Sequence, residues 1–523
     1  MPGAGMTNRR TRDVLKNFFT QRLLVIVLLM LQIAIYVVIV VRWSAASQIT
    51  SVGLTVLSWL VTFVIAGTDK QPSYKVRWII IVLILPIVGT AIYILLDQDM
   101  LARRVRKQLR KNQEKLLLER ADDAEALAGI VEAHPQDSRL PLYLSAHSGY
   151  PIYERNKSRF LPTGEEFFEA MLQDLEKAER YIFLEFFIVY EGVMLSSLLE
   201  VLERKAKEGV EVRFMYDDVG SLFLLPRNYP KVLEAKGIRC RKFNPLRPAV
   251  TSTLNNRDHR KIVVIDGEIA YTGGLNLADE YINVIDRFGY WKDAGIRLEG
   301  TAAWSFVQMF LELWETDENA SDDHRILLPV LDHLDQIEAE AGPGWVQPYA
   351  DNPFDSELIS DRVFLSIITQ ATDYIYITTP YLIVDYNILS ALQLAAESGV
   401  DVRIITPKKW DKFLVHMTTR SYYEPLIKSG VRIFEFTPGF IHSKTLVADG
   451  RVAVVGTVNF DYRSLYLHFE CAVVLYGTPS VDEVYSDFVK TQAVSEEIGP
   501  DGYPQGALRK LGGQVLKLFG PLM

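Results

Sequence analysis

Three long apolar runs near the amino terminus dominate the hydrophobic pattern. They cover Leu23–Val41, Ile49–Gly67 and Trp78–Leu96, and each approaches the roughly 20 residues that a helix needs to cross a bilayer. The alternative, buried helices of a soluble protein, would need all three runs within the first fifth of the chain and is disfavoured. The pattern predicts a membrane anchor over residues 1–98, with two or three transmembrane helices at about 23–41, 49–67 and 78–96.

Basic residues flank these runs and leave the topology of the anchor open. Clusters of arginine and lysine precede the first run, separate the second from the third, and follow the third. Three full crossings cannot place all of these clusters on the cytoplasmic side, as the positive-inside rule prefers. Either one run does not cross, or the last cluster lies along an anionic lipid surface. The side of the membrane that carries the rest of the chain stays open as well.

The pattern changes after the anchor to that of an α/β protein. Residues 99–138 are basic and then amphipathic, which indicates a connector. The segment "RYIFLEFFIVY" (Arg180–Tyr190) is typical of a buried strand, and it precedes a helical pattern that stops at Gly209 and a second strand. This βαβ order predicts a mostly parallel sheet that is covered by helices.

The same order of elements recurs in the second half of the chain. The segment "YIYITTPYL" (Tyr374–Leu382) matches the first strand, and "SGVDVR" matches "EGVEVR" about 190 residues earlier. Self-similarity at this separation indicates two domain-sized copies of one unit. We expect a first repeat over residues 139–320, a linker over 321–350, and a second repeat with a C-terminal tail over 351–523.

One polar motif is present in both repeats. "HRKIVVIDGEIAYTGGLN" begins at His259, and "HSKTLVADGRVAVVGTVN" begins at His442, 183 positions later. Lys261 and Lys444 each stand two residues after the histidine, and the apolar residues that follow predict strands. Alternate residues of a strand share a face, so the imidazole and the ammonium group of each copy should point the same way.

Several further residues of each copy are candidates for the site. Asp266 and Asp449, each followed by glycine between apolar runs, predict hairpin turns, and we expect them also to support the site. Small and amide residues close the hairpins, where the backbone can approach a ligand and amides can donate hydrogen bonds: Gly273, Asn276, Thr457 and Asn459. Asp293 and Glu470 occupy aligned positions, and a carboxylate bonded to a histidine would fix its tautomer.

Two copies of a His-x-Lys unit can divide a phosphoryl transfer between two imidazoles. One histidine attacks phosphorus and forms a covalent intermediate, while the other protonates the leaving oxygen and later activates the acceptor. The lysines and asparagines would bind the non-bridging oxygens, whose charge the transition state must stabilise. Because cationic side chains supply the positive field, we expect neither a metal nor a cofactor.

Composition narrows the classes of partner. A formal net charge of −9 and a pI near 5.6 argue against a nucleic-acid partner, which would select for a basic surface. Cys240 and Cys471 are the only cysteines, too few for a disulfide framework or a structural zinc site. The oligomeric state is left open.

The doubled motif H-x-K-x4-D-x6-G-[GST]-x-N resembles that of the phospholipase D superfamily, and the chain is more specifically similar to bacterial cardiolipin synthases. This similarity covers nearly everything from about Leu54 onward and includes "RDHRKIVVIDG", "FGYWKDAGIRLEG", "GFIHSKTLVADG" and "GTVNFDYRSLYLHFE". It implies an α/β fold in which two phospholipase D-like repeats, mixed sheets flanked by helices, face each other around one active site behind N-terminal transmembrane helices.

The resemblance also implies an activity and residue roles. A multi-pass enzyme of the bacterial cytoplasmic membrane would transfer a phosphatidyl group between two phosphatidylglycerol molecules and release glycerol. His259 is provisionally the nucleophile and His442 the acid and base, although the sequence does not prove this order. The orienting role fits Glu470 better than Asp293, because the first repeat carries six extra residues before its acid. The implied catalytic set is His259, Lys261, Asp266, His442, Lys444 and Asp449.

Three other functions compete with this one. Hydrolysis of phospholipids, or transfer to another alcohol, would use the same motif. A nuclease is disfavoured by the acidic chain and its predicted anchor, and a non-catalytic scaffold is disfavoured because both motifs are intact. The loops "SLFLLPRNYP" and "WDKFLVHMTTRSYYE" fit membrane-facing loops and core packing equally well. Of the six histidines outside the motifs, treated as structural, only His468 beside Glu470 has a possible second role.

Overall fold

The computed structural model describes residues 45–68, 72–96, 103–117, 123–245, 256–316, 324–355 and 357–499, together with a few positions between 512 and 520. These residues fall into two compact units, one that ends at Arg103 and one that begins at Arg104. All of the motif residues belong to the second unit.

The described part of the N-terminal unit contains three helices: α1 (Ala45–Ala66), α2 (Pro72–Ile84) and α3 (Pro86–Leu96). The third predicted run is divided between α2 and α3, because the proline at position 86 has no backbone N–H to continue the helix. Ile65, Trp78, Val82 and Tyr93 form a small core. Among the described helices, none is both long and apolar enough to cross a membrane. The first predicted run lies outside the described residues, so the transmembrane helices stay a prediction.

The segment that the sequence indicated as a connector packs on the second unit. It contains α4 (Arg103–Leu117) and α5 (Ala124–Ala133). The side chain of Asn112 donates to the carbonyl oxygen of Glu312 at 3.0 Å, and that of Gln308 donates to the carbonyl oxygen of Leu116 at 3.1 Å. Residues on both sides of the contact are buried, so α4 is part of the packed structure.

The first repeat is built on a seven-stranded mixed sheet. In chain order its region contains β1 (Tyr153–Glu154), β2 (Lys157–Leu161), β3 (Tyr181–Phe186), β4 (Glu211–Asp217), β5 (Arg239–Phe243), β6 (Ile262–Ile265), β7 (Ile269–Gly273), β8 (Tyr290–Lys292) and β9 (Gly295–Glu299). The sheet order is β2-β9-β7-β6-β3-β4-β5, and only β3, β4 and β5 are mutually parallel. Helices of this region are α6 (Arg139–His147), α7 (Gly164–Leu175), α8 (Val193–Lys207), α9 (Tyr229–Glu234) and α10 (Ala303–Trp314).

The second repeat is built on a nine-stranded sheet. Its strands are β10 (Trp345–Asp351), β11 (Tyr374–Thr378), β12 (Leu382–Ile383), β13 (Asp401–Pro407), β14 (Arg432–Phe436), β15 (Gly439–Ile441), β16 (Thr445–Ala448), β17 (Val452–Gly456), β18 (Phe460–Asp461), β19 (Glu470–Tyr476) and β20 (Ser495–Glu497). Its helices are α11 (Leu331–Glu340), α12 (Ile359–Gln370), α13 (Tyr386–Glu397), α14 (Phe413–Ser421), α15 (Tyr423–Lys428), α16 (Tyr462–Tyr466) and α17 (Pro479–Ala493). The sheet order is β1-β10-β19-β17-β16-β11-β13-β14-β20.

The two sheets share one topology, which confirms the duplication. The order β9-β7-β6-β3-β4-β5 in the first repeat corresponds to β19-β17-β16-β11-β13-β14 in the second. The expectation of a mostly parallel sheet is wrong for half of these strands, because each motif strand turns back on itself as an antiparallel hairpin. The predicted linker contains α11 and most of β10, and β10 is already a strand of the second sheet.

Contacts between the repeats include a buried helix, two short strand pairings, and the packing of α17 on β2. Helix α10 is buried along its whole length and packs against β3 and β6 of the first sheet and β10 of the second. Strand β8 pairs in parallel with β15, and an isolated parallel bridge joins Asp258 to Phe469. Each pairing joins the segment that leads into one motif histidine to the segment that leads into Asp293 or Glu470 of the other repeat.

Asp266 and Asp449 hold the hairpin turns of the two motifs. Both have a left-handed backbone, with φ of 54° and 52°, and glycine follows each of them. The carboxylate of Asp449 accepts the peptide N–H groups of Thr372, Asp373 and Tyr374 at 2.8–2.9 Å, and Asp266 does the same for residues 179–181 at 2.8 Å. Each aspartate therefore connects its hairpin to the start of the neighbouring antiparallel strand, β3 or β11.

Removing the Asp449 carboxylate should destabilise the protein more than it affects chemistry. We expect Asp449→Ala to lower the free energy of unfolding by about 2–3 kcal/mol, because three peptide N–H groups lose a charged acceptor. Asp449→Asn keeps one acceptor oxygen and tolerates the left-handed backbone, so its loss should be about half as large. Denaturant titration of the detergent-solubilised chain measures both. An alanine variant that is as stable as wild type yet inactive would instead assign the carboxylate to catalysis.

Candidate active site

Each motif histidine is hydrogen-bonded through Nδ1 to an acid of the other repeat. Nδ1 of His259 lies 2.9 Å from both carboxylate oxygens of Glu470, and Nδ1 of His442 lies 2.7 Å from Oδ2 of Asp293. Asp293, which the sequence favoured less for this role, makes the shorter of these contacts. The carboxylates favour the tautomer with the proton on Nδ1, which leaves Nε2 of His259 for a reacting group, while Nε2 of His442 also lies 3.1 Å from Nζ of Lys444.

Backbone pairing between the repeats produces this exchange of acids. The peptide N–H of His259 donates to the carbonyl oxygen of Phe469 at 2.9 Å, and that of His442 donates to the carbonyl oxygen of Lys292 at 2.7 Å. Phe469 and Lys292 are the residues immediately before the two acids. Each acid therefore follows a residue whose backbone is hydrogen-bonded to the histidine of the opposite repeat.

Both imidazoles are largely buried and surrounded by aromatic rings. His259 and His442 are 8% and 7% exposed. The ring of Phe187 lies 5.1 Å from that of His259, and the rings of Trp291 and Tyr281 lie 5.4 Å and 5.5 Å from that of His442. Each histidine therefore has a restricted approach, which suits a reaction that must exclude bulk water.

Burial also sets the charge of the imidazoles. Loss of solvent and then the nearby Lys261 lower the pKa of His259 well below its usual value. Burial and then Lys444 lower the pKa of His442 to about 4, and Asp293 opposes this shift only in part. Both rings are consequently neutral near pH 7 in the free protein, which is the form that a nucleophilic nitrogen requires.

The motif lysines lie beside the imidazoles, as their spacing predicts. Lys261 Nζ donates to the carbonyl oxygen of His259 at 2.6 Å. Lys444 Nζ donates to the carbonyl oxygen of His442 and lies 2.8 Å from Nδ1 and 3.1 Å from Nε2 of that ring. Burial lowers the pKa of Lys261 to about 8 and that of Lys444 to about 7. The pocket thus holds two ammonium groups away from solvent, and the acids Glu470 and Asp293 oppose the lowering of their pKa values only in part.

The motif asparagines form hydrogen bonds with residues around the site. Asn276 accepts the peptide N–H of Ile188 at 2.9 Å and donates to the hydroxyl of Tyr281 at 2.8 Å. Asn459 donates to the Ser464 hydroxyl at 3.1 Å, and its buried Oδ1 has no hydrogen-bond partner among the described residues. Asn276 thereby positions the tyrosine that faces His442.

Gly273 and Thr457 support the two orienting acids. A Cβ atom at Gly273 would lie 2.5 Å from the carbonyl oxygen of Ala294, and one at Gly274 would lie 2.0 Å from Oδ1 of Asp293. Thr457 occupies the equivalent of Gly274, and its hydroxyl donates to the Glu470 carboxylate. Gly274 therefore leaves room for the shorter acid Asp293, whereas Thr457 donates a hydrogen bond to the longer acid Glu470.

The structure brings most of the predicted residues together but separates two. The histidines, lysines, asparagines, acids, Gly273 and Thr457 surround the junction of the repeats. Asp266 follows β6 and Asp449 follows β16, whereas the histidines precede these strands. The carboxylates of the two aspartates bind the backbone that leads into β3 and β11.

A third imidazole belongs to the site. The ring of His468 lies 5.5 Å from that of His259, and both of its buried ring nitrogens lack a hydrogen-bond partner in the part of the chain that the structure describes. His468 precedes Glu470 by two residues, as Trp291 precedes Asp293, so a histidine and a tryptophan occupy equivalent places. The sequence alignment of Asp293 with Glu470 also aligns Trp291 with His468, so the sequence alone could have indicated this equivalence.

One group in the described ranges could hold a metal ion. The ligand atoms of His259, His468 and Glu470 all lie within 4.8 Å of one another. Imidazole and carboxylate ligands suit zinc. A metal ion at this position would coordinate the imidazole of His259, which is also the ring that must reach the reacting group.

Comparisons with known proteins agree with this architecture. The family described as "Cardiolipin synthase, PLD-like domain" matches residues 171–286 and 364–491, and "Phospholipase_D-nuclease N-terminal" matches residues 54–96. A phosphatidylserine synthase structure from Haemophilus influenzae superposes with a TM-score of 0.56 at 14% identity. The match covers 74% of this chain and 100% of that one, and it supports the fold alone.

Three relatives are similar over most of their length. A protein of Streptococcus mutans without an assigned function is 42% identical, with 86% of this chain and 96% of that protein covered. Cardiolipin synthase of Geobacillus kaustophilus is 34% identical, with 88% and 91% covered. Cardiolipin synthase 2 of Bacillus anthracis is 34% identical, with 90% of each chain covered. With both PLD-like domains matched and these relatives aligned nearly end to end, the chain belongs to the cardiolipin synthase family.

Proposed function

We propose that this chain is a cardiolipin synthase that transfers a phosphatidyl group from one phosphatidylglycerol to a second and releases glycerol. The observation that carries the proposal is the pair of buried imidazoles, each bonded through Nδ1 to an acid of the other repeat. Relatives named cardiolipin synthase, aligned over about nine tenths of the chain, support the choice of substrate.

The first step forms a phosphohistidine. Nε2 of His259 attacks phosphorus, and the bond from phosphorus to the glycerol oxygen breaks. Nε2–H of His442 gives its proton to the leaving glycerol. A bound phosphodiester brings negative charge beside the rings and so favours the protonated His442 that burial and Lys444 otherwise disfavour.

The second step transfers the phosphatidyl group to the acceptor. Glycerol leaves, and the primary hydroxyl of a second phosphatidylglycerol takes its place beside His442. Nε2 of His442 accepts the hydroxyl proton as the oxygen attacks phosphorus and the bond to His259 breaks. Both histidines return to their starting protonation states, which balances the exchange.

The lysines supply the charge stabilisation in both steps. Two ammonium groups in a dry pocket, with pKa values lowered to about 8 and about 7, are poised to gain from an anion. As negative charge grows on the non-bridging oxygens, Lys261 and Lys444 can stabilise it without reorganising solvent.

Phospholipid hydrolysis, or transfer to another alcohol, is the second candidate. It would use the same phosphohistidine and differ only in the molecule that attacks it. The restricted exposure of both histidines favours transfer, because water has to be kept from the intermediate.

We also propose the cellular setting and the domain organisation. Residues 1–98 anchor the chain in the bacterial cytoplasmic membrane by two or three crossings, which the apolar runs support. Residues 99–138 connect this anchor to the repeats at 139–320 and 351–523, with 321–350 between them. A substrate that is itself a bilayer lipid fits an anchored enzyme.

The products test the proposed reaction directly. Purified full-length protein in micelles that contain phosphatidylglycerol should release cardiolipin and glycerol in equal amounts, because one glycerol leaves for every phosphatidyl group transferred. Lipid mass spectrometry and a glycerol assay measure both. Phosphatidic acid as the main product would replace the synthase proposal with the hydrolase.

Single histidine variants test the shared site and the order of roles. His259→Ala and His442→Ala should each lower turnover at least a thousandfold, because the two rings act as one unit. Incubated with phosphatidylglycerol labelled in its acyl chains, His442→Ala should retain acid-labile label on the protein, whereas His259→Ala should not. Label on the His259→Ala variant alone would reverse the two roles.

The lysines should set the alkaline limb of the pH profile. An ammonium with a lowered pKa is charged below that pKa and loses its charge as pH rises through it. With Lys444 at about 7 and Lys261 at about 8, kcat/KM should fall across this range, well below the pH at which an ordinary lysine titrates.

A variant that keeps the positive charge shows which lysine produces the alkaline limb. Lys444→Arg stays protonated throughout, so its residual activity should show a limb moved toward the pKa of Lys261. A wild-type profile that stays flat to pH 9 would remove the lysines from phosphate binding.

A further inference from the structure

We infer that the second unit docks on an anionic phospholipid bilayer through an apolar rim around the active site. The rim consists of Phe223, Val284, Ile285, Trp410, Phe413 and Leu414. The inference rests on the proposed function, because it takes a lipid of that bilayer as the substrate.

The rim residues are large, apolar and exposed. Their exposed fractions run from 45% for Ile285 to 63% for Phe223, and the rings of Trp410 and Phe413 lie 5.7 Å apart. Scattered single apolar residues are ordinary on protein surfaces. Grouped ones mark a site of contact with another phase or molecule.

Strand register places the rim at the edge that carries the histidines. At the carboxyl end of β3, Glu185 pairs with Ile262, which is three residues after His259. At the carboxyl end of β11, Thr378 pairs with Thr445, which is three residues after His442. Strands β4 and β13 run parallel to these strands and end at the same edge. The loop with Phe223 follows β4, and the loop with Trp410 follows β13, so the duplication puts an apolar loop at this edge in both repeats.

Two rim loops are hydrogen-bonded to the backbone of residues whose rings line the site. Ser221 donates to the carbonyl oxygen of Phe187 at 3.3 Å, and the ring of Phe187 contacts His259. Asn283 accepts the peptide N–H of Trp291 at 2.7 Å and donates to its carbonyl oxygen at 3.0 Å, and Trp291 contacts His442. Phe223, Val284 and Ile285 therefore lie within two residues of the groups that fix the pocket wall.

The third loop is fixed in the same way. The hydroxyl of Tyr381 donates to Oδ2 of Asp411 at 2.5 Å, and Nζ of Lys412 lies 5.1 Å from the centre of the Tyr381 ring. These contacts turn the carboxylate of Asp411 toward the protein. The neighbouring side chains of Trp410, Phe413 and Leu414 stay exposed.

Backbone strain at Phe223 supports a binding role. Its φ is 69°, a left-handed conformation that bulky residues rarely adopt. Strain of this kind concentrates at functional sites and persists where the surrounding structure holds it. Here it accompanies an aromatic ring that is left facing solvent.

Charge and residue type identify the partner as an anionic bilayer. Although the chain carries a net charge of −9, the rim loops present exposed cations at Arg227, Lys409 and Lys412. Basic side chains next to exposed apolar ones are attracted to anionic headgroups, and tryptophan favours the interface between headgroups and acyl chains. Phosphatidylglycerol, the proposed substrate, is an anionic lipid.

Interfacial turnover tests the rim. We compare full-length Trp410→Ser/Phe413→Ser/Leu414→Ser with Leu394→Ser, a control whose leucine is 63% exposed on α13 of the same repeat. On phosphatidylglycerol vesicles the rim variant should be at least tenfold slower than the control, with the loss in apparent KM. On a short-chain phosphatidylglycerol below its micelle concentration the two should agree within twofold. Equal rates on vesicles would overturn the inference.

Lipid contact can be measured without turnover. Cys240 and Cys471 are buried, so an environment-sensitive fluorophore can be attached at Leu414→Cys or, as the control, at Leu394→Cys in the full-length chain. Spin-labelled lipids in phosphatidylglycerol vesicles should quench the probe at 414 and leave that at 394 unquenched. Absence of quenching at 414 would make the rim a protein contact and overturn the inference. If wild type converts neither lipid, the proposed function fails, and quenching alone decides the docking.

Discussion

Two imidazole–carboxylate hydrogen bonds that cross between the repeats determine the rest of the site. A carboxylate is stable in a dry interior only when it is fully paired, and burial raises the pKa of Glu470 well above its usual value. The bonds to His259 and His442 therefore require the closely packed junction that β8, β15 and α10 provide. Orientation of the reacting nitrogens and closure of the fold are consequences of the same contacts.

The site holds two ammonium groups away from solvent. Two lysines and two histidines share a pocket with two acids that already serve the imidazoles, and burial disfavours every cation that is added. An incoming phosphodiester adds negative charge beside these ammonium groups, so part of the desolvation cost of burying them is offset when the anion binds. Substrate affinity and transition-state stabilisation thus have one physical origin.

How much could be predicted from sequence depended on the range of each interaction. The duplication follows from self-similarity of the sequence and the hairpin aspartates follow from local spacing, and the structure has both. Contrary to the prediction from spacing, the histidine and lysine of each motif precede β6 or β16 instead of lying in the strand. The exchange of Asp293 and Glu470 between repeats depends on the pairing of β8 with β15 and on the bridge between Asp258 and Phe469. These join segments about 150 and about 210 residues apart. Local patterns also could not show that β10, within the predicted linker, extends the second sheet.

The exchanged acids make each repeat incomplete by itself. A chain with one copy of the motif would carry an imidazole whose Nδ1 partner lies on another copy, so it could assemble a working centre only by pairing with a second molecule. Fusion of two copies into one polypeptide removes that concentration dependence. It also frees the copies to diverge, and the histidine at 468 opposite the tryptophan at 291 records such divergence.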